Sequence, residues 1–174
     1  SDVYKRQPQF TPINLVSNDV IVVTVDYRLG SLGFFAPKEL IEEAKTKGEP
    51  VGNYGTMDQI ASLKWVKRNI ATFGGDPNNV TIFGQSAGAR SVTWLMVSDA
   101  AKGLFHKAIA QSAQQSPLRG MTEKRFGLNP EVDIDAKYMA ALGVKSLAEL
   151  RKLPTEKLVL NGRAFYAGEF GGPF

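Results

Sequence analysis

A serine between two glycines is the residue whose setting most clearly points to chemistry. Ser86 lies in the stretch VTIFGQSAGARSV, residues 80–92, and Gly84 and Gly88 flank it two positions away on either side. A serine hydroxyl becomes a nucleophile when a general base removes its proton, and it can then form a covalent acyl intermediate. The G-x-S-x-G pattern also arises by chance in a chain with 17 glycines, so its structural setting decides its meaning.

The residues around Ser86 predict a sharp turn from a strand into a helix. Val80–Phe83 is a short β-rich run, and Ala87–Val97 has helical character. A serine at such a turn is the arrangement called a nucleophile elbow. The two glycines are expected where a side chain would clash with neighbouring backbone, and the serine is expected to have a strained backbone. The first helical N–H group, that of Ala87, could then stabilise an oxyanion.

Other runs place this turn in an alternating α/β order. Val20–Val25 reads VIVVTV, a β-branched run that predicts a strand buried on both faces. Lys107–Gln111 is predicted as a further strand. A helix between the first two strands is predicted to end at Gly74, from an apolar stripe at steps of three and four. The stripe consists of Met57, Ile60, Leu63, Val66, Ile70 and Phe73. This order implies a mostly parallel sheet with flanking helices.

Outside the alternating block the sequence predicts further helices. Lys38–Lys47 and Asp135–Leu142 have helical character. Ser146 and Glu149 have the spacing of a capping box, which predicts the start of another helix. Pro154 is predicted to open a last short helix as its first residue.

Composition excludes several kinds of site. The chain has 174 residues, a net charge of +4 and no cysteine. Disulfides, thiol catalysis and cysteine-bound metal are excluded, and the cellular compartment stays open. The densest basic group, Lys64, Lys67 and Arg68, lies on a predicted helix and indicates a solvated face rather than nucleic-acid binding. The longest apolar run, Val20–Val23, is too short to cross a membrane.

Longer runs of the sequence carry a family resemblance. They read VIVVTVDYRLGSLGFF, GNYGTMDQIASLKWVKRNIATFGGDPNNVTIFGQSAGARSV and LFHKAIAQSA, with a weaker run LGVKSLAELRKLPTEKLV. In this order they resemble type-B carboxylesterases, the cholinesterase and para-nitrobenzyl esterase group of the α/β-hydrolase fold. The resemblance covers roughly Phe10–Leu160. It implies a partial α/β-hydrolase fold and a serine esterase that hydrolyses small-molecule carboxylic esters without a metal or organic cofactor.

The resemblance also implies roles for individual residues. Ser86 matches the nucleophile, and Ala87 matches one donor of the oxyanion hole. Arg28 and Asp58 match a buried structural ion pair. Ser112 matches a serine near the catalytic acid, which helps to orient the catalytic groups without taking part in the chemistry.

Two residues depart from the family pattern. Gln85 stands before the nucleophile where the family usually has glutamate, which removes a negative charge and is expected to alter the pKa of the catalytic histidine. Ala113 follows the serine at position 112, where the family often has glycine. Neither departure removes the nucleophile.

The base and acid that Ser86 needs are not expected among these residues. The only histidine, His106, precedes a strand and is expected to face away from the site, with a structural or surface role. In α/β-hydrolases the acid and then the histidine follow the nucleophile on later loops. Asp26 lies before the nucleophile, and Asp99 and Glu123 have no motif around them. The triad acid, the histidine and the glycine-rich oxyanion loop are therefore expected outside this sequence.

Both ends are interpreted as cut from a longer protein. Residues 1–7, SDVYKRQ, match nothing in the family and are interpreted as extraneous or disordered. Residues 8–174 are interpreted as one incomplete α/β-hydrolase domain, which alone is expected to be inactive and to aggregate. Export, including secretion or a periplasmic location, stays open, as does the oligomeric state.

Two other functions remain open on the same fold. A cholinesterase-like binding or adhesion domain keeps the fold without the chemistry, although Ser86 within GQSAG argues against it. A lipase or acyltransferase would share Ser86 and differ in its acyl acceptor and lid.

Overall fold

The computed structural model describes residues 11–113 and 119–159. The described residues form two compact units, the first comprising 11–27 and 56–113 and the second 28–55 and 119–159. The helices are α1 (Ile13–Val16), α2 (Gly30–Phe34), α3 (Lys38–Lys47), α4 (Tyr54–Asn69), α5 (Ala87–Met96), α6 (Glu131–Ala141) and α7 (Leu147–Leu150), and the strands are β1 (Thr81–Gln85) and β2 (Lys107–Gln111). The predicted extraneous residues 1–7 lie outside the described part.

The sheet of the first unit is a parallel pair formed by β1 and β2. Thr81 pairs with Lys107 at one end of the ladder and Gln85 pairs with Gln111 at the other. Helix α5 connects the two strands, as a parallel pair requires a crossover. The predicted order of strand, helix and strand is confirmed for this part of the chain.

One face of this sheet and the helices share a core. The buried members are Ile60, Ile82, Val92, Leu95, Ala101 and Leu104. The apolar residues of α4, β1 and α5 meet here because each helix presents an apolar face and β1 contributes Ile82. The ending of α4 follows the prediction: a 3₁₀ turn, Ile70–Phe73, is closed by Gly74 at φ 83°.

Residues 20–25 do not form the predicted strand. No strand is present there in the described structure, and Val20, Ile21, Val23 and Val25 are 38–48% exposed rather than buried. The β-branched composition supplies only a preference for extended backbone. A strand also needs a neighbouring ladder, and the ladder of β1 in this structure is formed with β2.

The second unit has a core of its own around helices α6 and α7. Its buried members are Phe35, Tyr138, Met139, Val144, Leu147 and Leu150. Asp135 is fully buried in this unit, and its carboxylate accepts a hydrogen bond of 2.7 Å from the Ala36 amide. The Tyr138 hydroxyl donates to the Leu158 carbonyl at 2.6 Å, and burial raises the pKa of this phenol. Helix α6 thus binds both chain segments of the unit.

The start of α7 follows the predicted capping box with one change. The Ser146 hydroxyl accepts from the Glu149 amide at 3.2 Å, while the Glu149 carboxylate accepts from the Lys145 amide at 2.8 Å. Helix α6 begins at Glu131, earlier than predicted, and residues 155–159 are helical after Pro154 rather than including it.

Helix α3 is fastened to α7 by two carboxylates one turn apart. Glu39 accepts a hydrogen bond of 2.9 Å from the Leu147 amide. Glu43 accepts two bonds from the Arg151 guanidinium, at 2.9 and 3.1 Å. Hydrogen bonds from Arg151 and then from Lys47 lower the pKa of Glu43 from 4.5 to about 2.

The Glu43 contact predicts an acid-sensitive contribution to stability. Because the folded pKa lies below the unfolded one, the contribution is complete above pH 4.5 and is lost as the pH falls toward 2. We expect Arg151→Gln to lower the melting temperature at pH 7 and to lose this effect progressively below pH 4.5. Thermal unfolding of the wild-type protein and of each variant between pH 7 and pH 3 measures the change in melting temperature. Lys38→Gln is the control, since Lys38 and Glu42 are exposed and 3.9 Å apart; an equal loss in both variants would contradict the assignment.

Candidate active site

Ser86 lies at the turn between β1 and α5, with β1 ending at Gln85 and α5 beginning at Ala87. Its backbone has φ 54° and ψ −115°. A non-glycine residue with positive φ outside the left-handed helical region is strained by about 1–3 kcal/mol. The predicted strained conformation is confirmed, and Ser86 is exposed at the surface of the described structure.

Backbone hydrogen bonds hold Ser86 on both sides of the turn. Its amide donates to the Gln111 carbonyl at 3.0 Å, and its carbonyl accepts from the Arg90 amide at 3.0 Å. The first bond continues the ladder with β2, and the second is the first turn of α5. The main chain alone therefore fixes the serine, and these bonds leave its hydroxyl to other partners.

The two flanking glycines differ in what surrounds them. A Cβ at Gly84 would lie 2.4 Å from the Gly88 carbonyl carbon and 2.9 Å from the Ala89 nitrogen, so a side chain there clashes with α5 as predicted. A Cβ at Gly88 meets no atom within 4 Å among the described residues. The clash predicted at Gly88 is therefore not present. The close approach involves the Gly88 backbone, which lies against Gly84, and a side chain at position 88 would point elsewhere.

Ala87 is placed where an oxyanion donor would be needed. It is the first residue of α5, whose ten residues begin directly after the nucleophile position. The first amides of a helix have no acceptor within the helix, and they carry the positive end of its dipole. The Ala87 N–H therefore has the chemistry of an oxyanion donor.

Ser112 occupies the same edge of the sheet as Ser86. Each serine follows the last residue of its strand, and those residues, Gln85 and Gln111, are paired in register. Ser112 has φ 55°, close to the value at Ser86. This second serine with positive φ was not predicted from the sequence. Its signal was the repeated Gln-Ser-Ala, which ends both strands.

His106 lies at the opposite edge of the sheet, as predicted. It precedes β2, while Ser86 follows β1, so about five strand residues or ~16 Å of ladder separate the two edges. Its Nδ1 accepts from the Val80 amide at 3.2 Å, and its own amide donates to the Val80 carbonyl at 2.8 Å. His106 therefore joins the residues that precede β1 and β2 through two hydrogen bonds to Val80.

The remaining candidates lie on elements other than the turn at Ser86. Asp99 opens the 3₁₀ turn Asp99–Ala101 that leads toward β2. Glu123 pairs with Arg125 in the second unit. The predicted pair of Arg28 and Asp58 joins residues of different units and stays a prediction. Arg28 itself stacks over the Tyr54 ring at 5.2 Å from its centroid.

The described residues hold neither a metal-binding cluster nor a membrane-spanning helix. That part of the chain has no cluster of three or more histidine, cysteine or acidic side chains able to hold a metal ion. None of its helices has the length and apolar character required for a membrane span.

The strand, strained serine and helix have the arrangement of a nucleophile elbow. Similarity to solved carboxylesterase structures shows that the fold is that of the α/β-hydrolases. A thermophilic para-nitrobenzyl esterase superposes on 94% of this chain with a TM-score of 0.77 and 34% identity, the match covering 32% of that protein. The carboxylesterase family model matches residues 2–168. The chain belongs to the carboxylesterase family.

Curated relatives agree with this assignment. Mouse liver carboxylesterase 1 is 51% identical over 56% of this chain and 16% of its own length. The para-nitrobenzyl esterase of Bacillus subtilis strain 168 is 42% identical over 79% of this chain and 25% of its own length. Among such relatives the chain spans 15–28% of their length.

The unequal surroundings of the two glycines predict unequal effects of substitution. We expect Gly84→Ala to destabilise the protein by about 1–3 kcal/mol, because the new methyl group overlaps the α5 backbone. We expect Gly88→Ala to be neutral or to stabilise α5 by up to about 1 kcal/mol, because alanine favours helix. Urea unfolding of the two variants compares them directly, and equal destabilisation would show that another part of the protein fills the space beside Gly88.

Proposed function

We propose that the protein carrying this chain is a serine carboxylesterase that hydrolyses small-molecule carboxylic esters through an acyl-enzyme on Ser86. The observation that carries the proposal is the strained, exposed Ser86 between β1 and α5 in a chain of the carboxylesterase family. The relatives' names, as carboxylesterases and a para-nitrobenzyl esterase, support the reaction class.

The reaction proceeds in two covalent steps. The Ser86 Oγ attacks the ester carbonyl carbon while a histidine elsewhere in the protein takes its proton. The alcohol leaves with that proton, and Ser86 holds the acyl group as an ester. Water then attacks the acyl carbonyl with the same histidine as base, and the carboxylic acid is released. The Ala87 N–H stabilises the oxyanion of both tetrahedral intermediates.

Four other residues have supporting roles in this proposal. Gln85 presents an uncharged amide beside the nucleophile, so the catalytic histidine has one anion fewer near it than in relatives with glutamate. Ser112 helps to orient the catalytic acid from the same sheet edge. The Arg28 and Asp58 ion pair is structural, and removal of one partner would leave the other charge uncompensated.

The strongest test is covalent labelling of the nucleophile. We expect the full-length protein to react with a fluorophosphonate at Ser86 and to hydrolyse a para-nitrophenyl ester. We expect Ser86→Ala to lose labelling and to lower kcat by about 10⁴-fold or more. Mass spectrometry of the labelled peptide identifies the residue.

Two results would separate the alternatives. A full-length protein that binds esters but never labels at Ser86 is the non-catalytic binding domain. A labelled protein that transfers its acyl group to an added alcohol faster than to water is the acyltransferase.

His106 provides the matched control for the catalytic assignment. We expect His106→Ala in the full-length protein to leave kcat within about twofold, because the side chain lies at the far edge of the sheet. We expect a loss of stability of about 0.5–1.5 kcal/mol, since the Val80 amide loses its acceptor. Steady-state kinetics and urea unfolding separate the two effects. A large fall in kcat at unchanged stability would make His106 part of the machinery.

A further inference from the structure

Gln59 is a buried polar side chain that the proposed mechanism does not use. It lies on α4 and is 8% exposed, next to the core residue Ile60. Its Nε2 donates to the Ser91 hydroxyl at 3.0 Å. Its Oε1 is buried and has no hydrogen-bond partner in the described part of the structure.

The partner of Gln59 lies on the helix that begins after the nucleophile. Ser91 is on α5, four residues after Ala87, so the two residues lie one turn apart on the same helix face. A bond to Ser91 therefore restrains the first turns of α5. Those turns carry the Ala87 N–H and the carbonyl of Ser86, which accepts from Arg90.

The buried Oε1 argues against a role in stability alone. A buried acceptor without a partner is destabilising, whereas an apolar side chain of the same size would fill this space at no such cost. A side chain kept for packing would not bring this atom into the core. The bond that Gln59 makes within the described residues runs from its Nε2 to one partner, the Ser91 hydroxyl.

We propose that Gln59 is a positioning residue, which sets the first turns of α5, and with them Ser86 and Ala87, for attack on the ester. The proposal rests on the esterase function proposed above. Gln59 touches neither the substrate nor the reacting atoms, and acts only through Ser91. A displacement of a fraction of an ångström at the oxyanion donor is enough to slow an acyl transfer.

The test uses Gln59→Met and Ser91→Ala in the full-length protein. Methionine keeps the length of the side chain and removes both the bond and the unpaired oxygen. We expect each variant to lower kcat and the rate of fluorophosphonate labelling at Ser86 by about five- to tenfold, with KM within about twofold. We expect the melting temperature of Gln59→Met to stay equal or rise. The double variant should be no slower than either single one.

Two further variants control for general effects. Ser62→Ala on the same helix removes a half-buried hydroxyl that donates to the Asp58 carbonyl at 2.9 Å, and it should react at the wild-type rate. Ser91→Thr keeps the hydroxyl and should retain most of the labelling rate if Ser91→Ala is slow. Should Gln59→Met fail to fold, the Ser91 pair carries the test.

Each outcome decides between distinct conclusions. Variants that melt lower but label and turn over at wild-type rates overturn the positioning role and leave a structural one. A wild-type protein without Ser86-dependent labelling overturns the esterase proposal and the positioning role together. A slow Ser62→Ala would also overturn it, because α4 would then act through general destabilisation.

Discussion

The structure around Ser86 depends on the parallel pairing of β1 with β2. The last hydrogen bond of that ladder joins the Ser86 amide to the Gln111 carbonyl, and it holds the serine at the end of the strand. Gly84 then allows α5 to turn back against β1, because its missing side chain leaves room for the Gly88 backbone. The strain at Ser86 is tolerated because the ladder on one side and the helix on the other leave its backbone little freedom.

Local patterns in the sequence predicted most elements of the fold. The stripe of α4, the stop at Gly74 and the capping serine at position 146 are each encoded within a few residues. The strand predicted at residues 20–25 is absent because strand formation depends on a pairing partner that local composition does not specify. The burial of Asp135 could not be predicted from local sequence either, since its hydrogen-bond partner Ala36 is 99 residues away. That the two compact units belong to one α/β-hydrolase domain stays a prediction.

The candidate site was predictable where spacing alone sets the geometry. The motif around Ser86 predicted the strained turn and the helix start at Ala87. The position of His106 just before a strand predicted that it lies at the opposite edge of the sheet from Ser86. The strain at Ser112 and the contact of Gln59 with Ser91 were not predicted. The first requires the register of two strands and the second requires the packing of two helices, and neither is encoded in a short run of residues.

The two faces of the β1–β2 sheet differ in how well they are covered. Ile82 and Ala108 are paired in register and belong to the core on one face. Phe83 and Ile109 are paired in the same way on the other face, yet they are 50% and 52% exposed. A parallel sheet is stable when both faces are covered, and a two-stranded ladder is marginal. Since a strained serine persists only where its surroundings over-determine it, cover on the Phe83 and Ile109 face would hold the strained turn at Ser86 as well as stabilise the sheet.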